Sequence, residues 1–162
     1  MTDELSLRGK WTLRAHGRTR VFVKRSVESS AHVLMKALMW ALYLPAYPEL
    51  GVEISIGHRY KPDLVFLEQG EPRFWGECGH VGLQKIRYLV GRFRRTHLAF
   101  ARFEGGLDSY AELFEKALQG VRREAPVELW RFPPDSAERF VDERGNIKVA
   151  FADLQGRRFG HS

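Results

Sequence analysis

Apolar and polar positions alternate over Leu7 to Ala15 and again over Thr19 to Arg25, on either side of His16-Gly17-Arg18, which predicts an opening hairpin of half-buried strands. The period then changes. From Ala31 to Leu44 apolar residues run almost all round a helical wheel. The helix predicted there, capped by Ser29 or Ser30 and stopped by Pro45 and Pro48, is therefore buried on most sides. Gly51 to Ile56 alternates as a short strand. Two apolar runs follow, Asp63-Leu64-Val65-Phe66-Leu67 and Phe74-Trp75-Gly76-Glu77-Cys78, joined by a polar segment that contains Gly70; each reads as a buried strand. Gly82 to Phe93 is amphipathic, with Leu83, Ile86, Val90 and Phe93 on one helical face and Lys85, Arg87, Arg92 and Arg94 elsewhere. His97 to Phe103 predicts a strand, Ser109 to Gln119 a helix capped at Asp108 or Ser109, and Val127 to Phe132 another strand. Pro133-Pro134 then opens a tail with a hairpin signal at Gly145-Asn146.

The order helix, three strands, helix, strand implies an α/β fold, a central mixed sheet flanked by helices with the N-terminal hairpin added. A chain of 162 residues with 44% hydrophobic and 12% aromatic content is expected to form one domain with a sizeable core. Its parts are the hairpin in 1–27, the core in 28–103, and a C-terminal helix and strands in 104–162. The longest apolar stretch, Ala37 to Tyr47, is too short for a membrane span and contains Pro45, and no signal-peptide pattern precedes it, so the expectation is a cytoplasmic protein without a membrane partner. Cys78 is the single cysteine, which excludes an internal disulfide and a multi-cysteine zinc site.

Charge singles out one region. The net charge is +6, and between Glu77 and Glu104 stand six basic residues, Lys85, Arg87, Arg92, Arg94, Arg95 and Arg102, with no acidic one. The residues after Phe103 hold nine basic and eleven acidic side chains. Positive charge concentrated beside one segment suits a polyanion, and nucleic acid is the expected partner.

Inside that context lie two acids in apolar strands. A lone carboxylate there is costly, because desolvation disfavours its charge, and a facing carboxylate adds repulsion. Asp63 opposes Glu77 if the connection is an odd loop, Glu68 to Pro72, centred on Gly70; a two-residue turn on Gln69-Gly70 puts Glu77 on the other face. The odd loop is the expectation. Hard oxygen donors of this kind suit Mg²⁺ or Mn²⁺. On the preceding helix Glu28, His32 and Lys36 form one stripe at i, i+4 and i+8, which can line the same cleft, although an acid at a helix start is also favoured by the helix dipole alone.

These residues, Lys61-Pro62-Asp63-Leu64, Trp75-Gly76-Glu77-Cys78-Gly79 and the helix with His32-Val33-Leu34-Met35-Lys36, resemble the PD-(D/E)XK phosphodiesterase superfamily, and within it the YaeQ-like branch. The resemblance covers Glu28 to Phe103 and, more weakly, Asp108 to Phe132. It implies a restriction-endonuclease-like core and a nuclease-like, metal-dependent phosphodiesterase. Asp63 and Glu77 would be metal ligands, the Cys78 carbonyl and Glu28 further ones, and Lys36, His80, Arg87 and Arg92 would contact phosphate. One motif position departs from the pattern: a lysine expected two residues after the glutamate is Gly79 here, as in the branch. Lys85, eight residues after Glu77, is the candidate replacement for orienting water and offsetting phosphate charge. The alternative is a catalytically degenerate module that keeps the fold and binds nucleic acid or a protein.

Overall fold

The computed structural model describes residues 9–103 and 105–160. Strands β1 (Lys10–Ala15) and β2 (Arg18–Val23) form an antiparallel two-stranded sheet. The predicted start of β1 at Leu7 and Arg8 lies outside the described residues. Then come helix α1 (Ser30–Tyr43), strands β3 (Gly51–Val52), β4 (Leu64–Glu68) and β5 (Glu71–Cys78), helix α2 (Leu83–Arg92), strand β6 (His97–Arg102), helix α3 (Leu107–Leu118), strand β7 (Val127–Arg131), a short helix α4 (Ser136–Phe140) and strand β8 (Gln155–Phe159). Strands β3 to β8 make one six-stranded sheet in sequential order, with β5, β6 and β7 parallel and the other neighbours antiparallel.

The all-round apolar character of α1 has a structural cause. One side packs on the sheet through Leu64, Phe74, Ala99 and Ala101, and the other lies under the hairpin through Trp11, Leu13 and Phe22, with the Phe22 and Trp40 rings 5.7 Å apart. The hairpin is thus a cover for a helix that would otherwise expose its outer face. Ser29 caps α1 by accepting the His32 N–H at 3.1 Å. On the opposite face of the sheet, α2 and α3 bury Ile86, Leu89, Val90, Tyr110 and Phe114 against Trp75, Leu98, Phe100 and Leu129. Each such fully buried side chain contributes about 1.5 to 3 kcal/mol.

At the C-terminal end of α1 a polar network joins the two layers. Tyr43 OH donates to Glu128 Oε1 at 2.9 Å, Trp130 Nε1 donates to Tyr43 OH at 2.7 Å, and His97 bridges Glu128 and Tyr47 OH. Burial raises the Glu128 carboxyl, but His97, Tyr43 and Arg158 together outweigh it and hold the group below its ordinary range.

Three elements differ from the sequence pattern. The strand predicted over Gly51 to Ile56 ends at Val52, because Glu53 takes a left-handed backbone (φ 58°). Helix α3 begins earlier than expected: its N-cap is Gly106, while Asp108 and Ser109 lie in its first turn. The tail contains β8 and the short α4, and the Gly145-Asn146 signal marks a tight turn closed by a Val141–Ile147 bridge.

The β4–β5 hairpin also departs from the expected odd loop. Glu68 pairs with Glu71 around a two-residue turn in which Gln69 (φ 53°) and Gly70 (φ 81°) are both left-handed, the type I′ pattern favoured in hairpins. A bulge then shifts the pairing, so that Leu67 opposes Pro72 but Phe66 opposes Phe74, leaving Arg73 as the extra residue. Val65 accordingly faces Trp75, and the pairing runs on to Leu64–Gly76, one residue short of the two acids. The Asp63 N–H donates to the Gly76 carbonyl at 3.2 Å. The bulge thus gives the Val65–Trp75 pairing that an odd loop would have given, and beyond its last pair the charge of Asp63 acts on Glu77.

Candidate functional site

The end of β5 brings together the start of α1, the entry to β4 and the start of α2, the carboxyl end of parallel strands at which open α/β sheets commonly place ligands. Glu77, the penultimate residue of β5, is 4% exposed. Its Oε1 accepts the Trp75 indole N–H at 2.8 Å and its Oε2 accepts from the Lys85 ammonium at 3.0 Å. Lys85 reaches back from the first turn of α2 and also lies 4.9 Å from the centre of the Tyr60 ring. Asp63 Oδ2 accepts the Cys78 N–H at 2.8 Å, and Oδ1 lies 3.6 Å from His32 Nε2. Burial and the negative charge of Asp63 raise the Glu77 carboxyl above its ordinary range, partly offset by Lys85 and Trp75.

A second string of charges runs from Asp63 along α1. His32 Nδ1 and Lys36 Nζ both lie 2.6 Å from Glu28 Oε2; Lys36 lies 2.8 Å from Glu53 Oε1, and Lys61 lies 3.2 Å from Glu53 Oε2. Lys36 is buried. Burial lowers its ammonium, but bonds to Glu28 and Glu53 more than restore it, and its net shift is upward. Burial likewise raises the Glu28 and Glu53 carboxyls, while their hydrogen-bond partners, Lys36 foremost, leave both below the ordinary range. Four carboxylates, Glu28, Glu53, Asp63 and Glu77, thus meet four basic partners, His32, Lys36, Lys61 and Lys85.

His32 is pushed up from 6.5 to about 9, chiefly by Asp63, a close ion pair at 3.6 Å, and by the Glu28 hydrogen bond, against the opposing effect of burial. A folded value above the unfolded one means that its contribution to stability is complete below pH 6.5 and disappears as pH rises through about 9. In metal-free protein the imidazole titration followed by NMR is expected to have its midpoint near 9, and the difference in urea midpoint between wild type and His32→Gln is expected to shrink across that same interval. A midpoint at the ordinary value would contradict the pairing.

The other expected residues are placed as follows. Cys78 is buried on the α1 side of the sheet, and burial, with Asp63 and Glu77 nearby, raises its thiol well above the ordinary range, so the side chain is a poor nucleophile. Its backbone N–H is already engaged by Asp63. Lys36 is enclosed by two carboxylates rather than presented to solvent. His80 is exposed in the loop after β5. Arg87 and Arg92 are exposed; Arg87 lies two positions from Lys85, hence about 200° round the helix, and Arg92 rests over the Phe93 ring. The structure does not gather these two arginines with the acids. Gly79 has φ 92°, a conformation strained for any side chain, and a Cβ there would stand 3.7 Å from the His32 ring. The motif position is thus a backbone turn that faces His32.

Glu53 and Tyr60 escaped the sequence reading, and Lys61 entered it only as part of the motif around Asp63. Only the left-handed backbone of Glu53, invisible in its residue type, turns that carboxylate toward Lys36. Among the described residues no three His, Cys, Asp or Glu side chains form a group able to hold a metal by themselves. Mg²⁺ requires less: it binds through one or two carboxylates together with waters and substrate oxygens. Two neighbouring carboxylates, one of them raised by burial and by the charge of the other, are a donor pair that a divalent cation would relieve, so the residues present fit such an ion.

No protein-family model matches the sequence, and no curated protein sequence matches it. The fold is similar to that of the YaeQ protein from Pseudomonas syringae, at 13% identity over 87% of this chain and 78% of that one, with a TM-score of 0.59. It is also similar to the YaeQ protein from Xanthomonas axonopodis pv. citri, at 16% identity over 75% and 71% of the two chains, with a TM-score of 0.55. The chain has a YaeQ-like fold, with a central mixed sheet between helices and an N-terminal hairpin.

Proposed function

We propose that the protein is a metal-dependent phosphodiesterase acting on nucleic acid. The observation that carries this reading is that Asp63, held on the Cys78 N–H at 2.8 Å, acts by its charge on the buried Glu77 while the Lys85 ammonium stands 3.0 Å from Glu77. Asp63 and Glu77 would hold Mg²⁺ or Mn²⁺, which when bound lowers the pKa of a water and polarises a phosphoryl oxygen. Lys85 has a quarter of its side chain open to solvent, so it can direct a water and offset charge on a phosphate. His32 orients Asp63 from the other side. Exposed Arg87, Arg92 and His80 would supply phosphate contacts that hold the strand without reading its sequence.

One observation favours a second reading, a binding module without turnover. The four carboxylates are already matched by four basic side chains, and the position of the motif lysine is the left-handed Gly79.

Purified protein incubated with Mg²⁺ or Mn²⁺ and plasmid, single-stranded DNA or RNA is expected to cleave at least one of them. EDTA, Asp63→Asn and Glu77→Gln are each expected to abolish cleavage. Binding that persists without cleavage under either metal would replace this reading by the second one. Binding that is absent or insensitive to salt would count against both.

A further inference from the structure

A separate cavity of about 500 Å³ opens at the tip of the N-terminal hairpin, between the β1–β2 turn, Ala41 of α1 and residues 146–149. Ala41 is nine residues beyond His32 on the same helix, about 13 Å along its axis, so the cavity is distinct from the carboxylate cluster. Its basic lining residues are Arg14, His16, Arg18 and Lys148, and none of its lining residues is acidic. Asp142, whose carboxyl Lys148 helps to lower, accepts hydrogen bonds from the Arg144 and Asn146 backbone and the Asn146 amide.

Among the described residues the two arginines are anchored on carbonyls and paired with no carboxylate. Arg14 donates one N–H to the Arg144 carbonyl at 2.7 Å and Arg18 one to the Pro48 carbonyl at 2.7 Å. A guanidinium has five N–H donors, so each retains positive charge and donors for an anion while its position is fixed. His16 is fixed as well, its Nε2 lying 2.9 Å from the Ala41 carbonyl. Beneath these groups Ala15, Ala41 and Ile147 are buried and apolar, and they give the cavity a floor that an inorganic anion would not use. The volume lies within the usual range for small-ligand sites.

We propose that this cavity binds a nucleotide phosphate, with Arg14, Arg18 and Lys148 on the phosphate and the apolar floor under the uncharged part of the ligand. The phosphate has two sources, a free mononucleotide or the 5′-phosphorylated end of a strand. The site stands independently of the proposed phosphodiesterase activity.

The test is titration of the intact protein with AMP, inorganic phosphate and a short 5′-phosphorylated single strand, followed by calorimetry and by NMR shifts of backbone amides. AMP is expected to shift the amides of residues 14–19 and 146–149, and inorganic phosphate to bind more weakly. Arg18→Gln and Lys148→Gln are each expected to weaken AMP binding by roughly tenfold. Lys148 is exposed, so its variant keeps the test valid if Arg18→Gln loosens the hairpin. Lys85→Met is expected to leave AMP binding unchanged. A strand that binds here as well as AMP identifies strand ends as the source, and one that does not identifies the free nucleotide. The proposal is overturned if AMP shifts nothing at millimolar concentration, if both glutamine variants bind like wild type, or if the shifts centre on Glu77 and Lys85 instead.

Discussion

Lys85→Met is expected to lower metal-dependent cleavage by roughly 10²- to 10³-fold, the usual loss when one preorganised charge-stabilising donor is removed. The same change should leave affinity for a single strand nearly intact, because Arg87, Arg92 and the other exposed basic residues of this region are untouched. The reason lies in position. Lys85 is the cation in hydrogen-bond contact with Glu77, and the Tyr60 ring supports it from the side. Methionine preserves much of the stem that packs in this cleft while removing the charge, so the fold should persist. Initial rates at saturating Mg²⁺, measured beside a binding curve on the same strand, separate the two effects. Parallel loss of binding and cleavage would assign Lys85 to holding the strand. Unchanged cleavage would remove it from the chemistry and leave no replacement for the missing motif lysine.

Lys36→Met is expected to cost about 3 kcal/mol, the low end for breaking a buried ion pair, and to lower Tm by roughly 6 to 12 °C for a chain of this size. The low end is the right one because the orphaned acids keep partners: Glu28 retains His32 and Glu53 retains Lys61. Adding Glu28→Gln and Glu53→Leu to the methionine variant should recover most of the loss, since a buried ionic group replaced as a whole by groups of similar size is often neutral. Denaturant midpoints of the single and triple variants, at equal m-values, check both statements. A cost under about 1 kcal/mol would mean that water reaches Lys36 in solution, at odds with its 2% exposure.

How far these features were legible in the sequence depends on what encodes them. Helix α1 was legible because its apolar residues cover the whole wheel and Ser29 offers a cap; the pattern also foretold burial on both sides, which the hairpin and sheet provide. Asp63 and Glu77 were legible because acids inside apolar runs stand out. Lys85 could be named only as the basic residue within reach, and its contact with Glu77 came from the structure. Strand β8 was hidden. Gln155-Gly156-Arg157-Arg158-Phe159 has almost no apolar alternation, and its pairing is dictated by β7, whose Trp130 ring fills the space where a Gly156 side chain would stand. Glu53 was hidden for another reason. Its role follows from a left-handed backbone at a non-glycine residue, and nothing in its neighbours announces that conformation.

The bulge at Arg73 has a consequence for how this chain tolerates changes in length. Thirteen residues separate Asp63 from Glu77, an odd number, whereas a two-residue turn with regular pairing needs an even one if the two acids are to face each other. The surplus residue is stored in the strand, outside the tight turn and away from the acids. The hairpin therefore carries a spare residue: losing one at Arg73 would flatten the bulge and leave Val65 facing Trp75, while gaining one would have to be taken up by a second bulge or by a longer loop. Where a residue is gained or lost, in the strand or in the turn, matters more to this segment than the identity of any loop residue.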